Sequence, residues 1–287
     1  MKVVMFWSYK GGSGRTVAAA NAAAALAKLG KKVAIVDLDF EGPGLHHVFG
    51  VESMPQYRNG NGIQHYLRSD IELPQLESEV MIDLFSGPLR HLQSEIPEGA
   101  KLLYVLASHK IAQVNAAQNP QIVMRLRKLL QLLDDRYHVD YVLLDAAAGV
   151  RDAYGLAADV SDDILMFFRW SVQHVEGTLH MIRYMGMLKD YGQRYIPVRL
   201  VASAVPSASD LDALPDENLR QALIRSKSDA LERIDGMLER CQITPSTVFH
   251  EIPELLEMKW KEGVAVFGQG VSPYQQLVEK LLQAHTA

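Results

Sequence analysis

Short apolar runs alternate with longer stretches of helical periodicity along most of this chain. Lys2–Trp7 is apolar after its lysine, Thr16–Leu29 is an alanine-rich stretch, and Lys32–Val36 is apolar again, with Gly30 placed to end the intervening helix. Further apolar runs of strand length occur at Lys101–Leu106, Tyr141–Leu144, Asp163–Phe168, Val198–Ala202 and Val248–Ile252. Between them, Pro120 opens a predicted helix to Leu133 with Ile122, Val123, Leu126, Leu129, Leu130 and Leu133 as its apolar positions. A second helix is expected over about Val175–Lys189. Ser209–Leu214 reads as a polar turn leading into a mixed-charge helix that ends near Arg240. The closing segment places Tyr274, Leu277, Val278, Leu281 and Leu282 on one helical face. Phe49 to Pro97 is rich in glycine and proline and reads as loops with a short helix near Gly62–Arg68. Strand-then-helix alternation of this kind predicts an α/β fold: a largely parallel central sheet with helices on both faces. No repeat, linker or low-complexity tail interrupts it, so residues 1–287 are expected to form a single domain.

Composition narrows the picture only a little. Hydrophobic residues make up 48% and charged residues 22%, an ordinary globular balance for a chain of 287 residues. A net charge of −5 argues against a surface built chiefly to clamp nucleic acid. Arg125, Arg127 and Lys128 form the densest basic cluster, but Asp134 and Asp135 follow closely, so DNA binding is not favoured. The one cysteine, Cys241, permits neither an internal disulfide nor a cysteine-held cluster and fits a cytoplasmic setting. No apolar run approaches the roughly 18 residues of a membrane-spanning helix. His46 and His47 are adjacent, so their rings are expected to diverge rather than share a metal ion.

The chemistry lies between the first strand and the first helix, in Lys10-Gly11-Gly12-Ser13-Gly14-Arg15-Thr16. Glycines let successive backbone N–H groups turn inward toward an anion, and the helix that follows presents its positive end to the same place. An ordinary phosphate loop reads G-x-x-x-x-G-K-[ST], the lysine serving the β/γ-phosphates and the hydroxyl serving Mg²⁺. Gly14 and Thr16 match it. Tyr9 replaces the first glycine and Arg15 replaces the lysine. Two acidic strand ends complete the pattern: Asp37-Leu38-Asp39 after the second strand, and Asp145 after Tyr141–Leu144, followed by Ala146-Ala147-Ala148-Gly149.

An early lysine followed by Gly-Gly-x-Gly resembles the deviant Walker A motif of the ParA/MinD family of P-loop ATPases, and Arg15 resembles a branch whose loop ends Gly-Arg-Ser/Thr. The resemblance implies a dimer when ATP is bound, with Lys10 reaching the partner subunit's nucleotide. It implies Mg²⁺ held by Thr16, Asp39 and Asp145, with Asp39 also placing the attacking water and Asp37 in support. Lys10, Arg15 and Asp39 are thus the expected catalytic residues, and Lys10–Val17 the phosphate-binding segment. Val201–Pro206 lacks the lysine and aspartate of a guanine-reading element, which favours ATP over GTP. Pro206, Ile252 and Pro253 are the nearest matches to the family's adenine pocket. The implied function is a slow ATPase switch that positions or regulates a partner. The alternative is a nucleotide-binding scaffold with negligible hydrolysis, because Arg15 is bulkier than lysine and three alanines follow Asp145.

Overall fold

The central sheet runs through the chain in eight strands, and its order explains how distant motifs meet. The computed structural model describes residues 1–110, 114, 119–150, 152–190, 196–255, 263–267 and 272–286. Strands β1 (Lys2–Ser8), β2 (Lys32–Leu38), β3 (Met81–Asp83), β4 (Lys101–Val105), β5 (Tyr141–Ala146), β6 (Asp163–Phe168), β7 (Val198–Val205) and β8 (His250–Pro253) lie in the order β3-β4-β2-β5-β1-β6-β7-β8. All neighbours pair in parallel except the edge pair β3 and β4. The inner strands are buried along nearly their whole length, as a parallel sheet covered on both faces requires.

Helix α1 (Arg15–Lys28) connects β1 to β2 by crossing over β5, which the fold inserts between them. Its alanines from Ala18 to Ala27 are almost entirely buried, so the helix is an inner packing element rather than a surface one. Asn21, fully buried in its middle, donates to the carbonyls of Val17 and Gly263 and accepts from the Ala265 N–H. The same helix packs against the closing helix Pro273–Thr286. Tyr274, Leu277, Val278 and Leu281 of that helix are buried, so its apolar face belongs to the core.

Four local expectations change. Strand β3 was not foreseen: three residues are too few to show a period, and only pairing with β4 makes them a strand. Ser209–Leu214 is no mere turn, because a short helix (Ala208–Asp212) begins there. Ser207 caps it by accepting from the Asp210 N–H, while the Asp210 carboxylate accepts from the Ser207 N–H. Residues 45–79, read mainly as loops, fold into four short helices (Leu45–Phe49, Pro55–Asn59, Ile63–Leu67 and Leu73–Glu79). Asp152–Val160 adds a helix the periodicity did not mark.

Candidate functional site

Strands β1, β2 and β5 all end on one side of the sheet, and the candidate residues gather at those ends. The glycine loop leaves β1 and enters α1 there. Gly12 and Gly14 have φ of 73° and 71°, conformations that side-chain-bearing residues rarely adopt. Left-handed residues at such positions let a loop curl with its N–H groups turned toward an anion, as in a nest. A cavity of about 290 Å³ is lined by Ser8, Gly11 to Val17, Asp39, Gly44 and Ala148. The segment from Gly11 to Val17 therefore surrounds one space, and Lys10 lies outside its lining. Gly44 passes so close to Thr16 that an added Cβ would sit 3.3 Å from the threonine methyl. Ser8 and Ala148 were not foreseen. The signal for Ser8 is structural: its hydroxyl is fully buried and has no hydrogen-bond partner.

The Arg15 side chain is only 7% exposed and binds the acids rather than lying free in the cavity. Its Nε donates to Asp145 Oδ1 at 2.6 Å, and its Nη2 donates to Asp39 Oδ2 at 2.9 Å and to Thr16 Oγ1 at 3.3 Å. Burial pulls the guanidinium's pKa down, but the charges of Asp145 and Asp39 more than offset this and raise it, so it remains a cation. Asp39 is fixed from its other oxygen, which accepts from the Gly42 N–H at 3.1 Å.

Register explains Asp37. It stands directly opposite Asp145 on the neighbouring strand and is fully buried. Burial pushes its pKa well above the carboxylate range, and the charges of Asp145 and Asp39 add to the rise. Asp37 Oδ1 accepts from the Asp39 N–H, and the Tyr104 hydroxyl donates to Oδ2 at 3.4 Å. Its contacts therefore shape the acidic turn. Asp145 is raised as well, by burial first, with Arg15 pulling in the opposite direction.

Thr16, Asp39 and Asp145 fit Mg²⁺ as a donor set. Their oxygens converge closely enough to share a single guanidinium, all are hard ligands, and buried Asp145 Oδ2 has no hydrogen-bond partner. His46 and His47 behave differently from expectation. Their ring centroids are only 3.9 Å apart, and His46 also stacks on Tyr57. Among the described residues no group of three or more His, Cys, Asp or Glu is arranged to hold a metal ion.

A second cavity, of about 330 Å³, opens beside the loop. Gly12, Gly14 and Val17 line it from one side, Arg169, Ser203 and Ala204 from the ends of β6 and β7, and Ile252 to Leu255 and Tyr274 from the C-terminal region. Pro253 and Ile252 thus face this space. Pro206 does not: it is exposed and lies outside the lining. A register irregularity between Ala202 and Val205, with φ of 51° at Ala204, turns the strand end so that Ser203 and Ala204 meet the cavity instead. The Ser203 hydroxyl lies within hydrogen-bond distance of the Ser13 and Phe168 carbonyls and joins loop to strand end. Arg169, Ser203 and Tyr274 carried no motif and were missed.

Lys10 is exposed, its Nζ 5.7 Å from the Tyr9 ring centroid, and it makes no ion pair with a described residue. Tyr9 packs where Gly177 has no side chain; a Cβ there would overlap its ring at 2.2 Å. Arg125 of the basic cluster is committed internally, donating to the carbonyls of Tyr66 and Ile71. Among the described residues no helix is long and apolar enough to cross a membrane.

A glycine-rich phosphate loop at the end of a central parallel strand, with acids at the ends of the two strands beyond it, defines a P-loop nucleotide-binding protein. A family profile described as "ParA: NUBPL iron-transfer P-loop NTPase" matches residues 1–79. The septum site-determining protein MinD of Thermotoga maritima is 25% identical over 191 residues, which are 66% of this chain and 59% of that protein. The aligned region thus spans about three fifths of that curated relative's length. Among solved structures, the MinD cell division protein of Aquifex aeolicus superposes with a TM-score of 0.65 at 18% identity, covering 100% of this chain and 98% of its own. Cyanothece McdA in complex with ATP gives 0.68 at 14% identity, covering 98% and 96%. By these matches the chain has the fold of the ParA/MinD-type P-loop ATPases and is similar to that family in sequence.

Proposed function

We propose that this chain is a Mg²⁺- and ATP-dependent switch ATPase that dimerises around bound nucleotide and positions or regulates a protein partner. The observation that carries this reading is the convergence of the glycine loop, Thr16 and Asp39 on one cavity, with Asp145 buried behind it against Arg15 and a second cavity of suitable size for a base alongside. Loop N–H groups and the α1 N-terminus would hold the phosphates, with Arg15 as the nearby cation. Thr16, Asp39 and Asp145 would hold Mg²⁺, which when bound neutralises charge on the phosphate oxygens. Val17, Ser203, Pro253 and Tyr274 would flank the base. Cyanothece McdA, of the same fold, has a structure with ATP, which supports adenine. Lys10 is left over from this inventory as an exposed cation at the rim. Val150 and Val172, both strongly exposed, follow β5 and β6 at the same end of the sheet and support a self-associating face there.

The test has two stages. Calorimetry with Mg-ATP, and competition by GTP, checks the nucleotide; absence of heat, or GTP bound as tightly as ATP, defeats that part. Light scattering with a non-hydrolysable ATP analogue checks assembly. Wild type is expected to dimerise, and Lys10→Ala to bind nucleotide yet remain monomeric. An undiminished dimer in Lys10→Ala removes the trans role.

A second reading, a nucleotide-gated scaffold with negligible hydrolysis, draws on Arg15 being held by the very acids that would serve turnover. Phosphate release from wild type, absent in Asp39→Ala, would decide for the ATPase; no release from either would decide for the scaffold.

A further inference from the structure

Two carboxylates placed close together in a poorly screened pocket attract whatever cation can reach them. In most phosphate loops the nearby side chain is a lysine, a compact point charge. Here it is a planar fork with five N–H donors, able to satisfy two carboxylates at once. Arg15 does so: one nitrogen meets Asp145 at 2.6 Å, and a second meets both Asp39 at 2.9 Å and the Thr16 hydroxyl at 3.3 Å. The three oxygen donors assigned to the metal are therefore all engaged by one side chain of the protein itself. The guanidinium is 7% exposed and Asp145 is fully buried, so water screens this arrangement poorly.

We propose that Arg15 is the resident counter-cation of the metal shell, excluding free divalent ions and releasing Asp39 and Asp145 only when nucleotide phosphates offer the guanidinium new partners. Metal and nucleotide then enter together, as one exchange of ionic partners. This rests on the nucleotide-site reading above and adds a coupling specific to the Gly14-Arg15-Thr16 loop ending. The physical reason is mutual exclusion. A buried carboxylate stripped of its cation is strongly disfavoured, and so is a buried guanidinium stripped of its acids. Neither partner leaves until a replacement is at hand. Free metal supplies a replacement for the acids but none for Arg15, whereas a phosphate chain with its metal supplies both.

The test uses Mn²⁺ as the probe, followed by its electron paramagnetic resonance on the nucleotide-free full chain. Wild type is compared with Arg15→Gln and Arg15→Lys, each checked for folding by circular dichroism. Wild type is expected to leave the Mn²⁺ signal as in buffer. Arg15→Gln should bind Mn²⁺ at least about tenfold more tightly, because its acids have lost their internal cation. Arg15→Lys should fall between, since a compact ammonium without the guanidinium fork holds the two acids less fully. Tight Mn²⁺ binding by wild type, equal to that of either variant, overturns the proposal, as does an unchanged signal from the folded variants. If Arg15→Gln does not fold, wild type and Arg15→Lys still decide. A separate Mg-ATP titration of wild type distinguishes the two levels: failure to bind ATP sinks the nucleotide reading and leaves the Mn²⁺ comparison intact.

Discussion

The two halves of the site are built on opposite plans. The phosphate half is drawn from one continuous loop and two adjacent strand ends, and its polar groups are engaged internally: Arg15 with Asp39 and Asp145, and the Asp37 carboxyl with a backbone N–H and the Tyr104 hydroxyl. The base half is assembled from segments far apart in sequence, with Val17, Ser203, Pro253 and Tyr274 brought together by the order of β6, β7, β8 and the closing helix. The first half carries buried charge and therefore stability risk. The second carries shape, with little polar commitment of its own. Substitutions in the two halves should accordingly report on different properties: folding and pH response in one, nucleotide affinity in the other.

The largest effect is expected from Arg15→Met. Removing a buried cation leaves two acids uncompensated, a loss of about 3 kcal/mol in denaturant unfolding at neutral pH. The loss should shrink toward pH 4, because the unpaired carboxyls of the folded variant take up protons that the unfolded chain also acquires there. A change within about 0.5 kcal/mol at neutral pH would erase the contrast between the halves.

Ser203→Ala breaks the contact that ties them together. Loss of a buried hydroxyl contact should cost about 1–2 kcal/mol in stability. It should also weaken nucleotide binding, since Ser13 is freed from β7. Affinity unchanged in the face of the stability loss would show that the halves are set independently.

Asp37→Asn probes the acid at the bottom of the phosphate half. Folded Asp37 has a pKa well above that of the unfolded chain, so the folded state keeps a proton that the unfolded state gives up. Its contribution is present in acid and is lost as pH rises through the folded value. The neutral amide removes this dependence, so the variant should gain on wild type as pH goes from 5 to 8, read from paired melting curves. A constant gap across that range contradicts the assignment.

Arg169→Ala should change stability least, within about 0.5 kcal/mol, because the side chain is exposed. Its effect should appear in calorimetry as about tenfold weaker Mg-ATP binding, the size of one modest charged contact. If stability falls and affinity does not, the base half is a packing region and the cavity is not where nucleotide lies.

The sequence by itself determined the fold class, seven of the eight strands and the phosphate half. Those features are local: apolar runs ending in Asp37, Asp39 or Asp145, a loop with glycines at Gly12 and Gly14, and a helix starting at once behind it. The sequence also placed Lys10 and Arg15 as the two cations of the loop. Tertiary structure alone decided what each does with its charge. Inserting β5 between β1 and β2 puts Asp145 opposite Asp37 and within reach of Arg15, a contact spanning 130 positions that no spacing announces. The base half had no local signature either. Arg169, Ser203 and Tyr274 are ordinary strand-end and helix residues until the sheet order collects them, and the irregular end of β7 selects Ala204 over Pro206. Strand β3 is the same lesson at the edge of the sheet: three residues become a strand only because Val105 and its neighbours supply the hydrogen bonds.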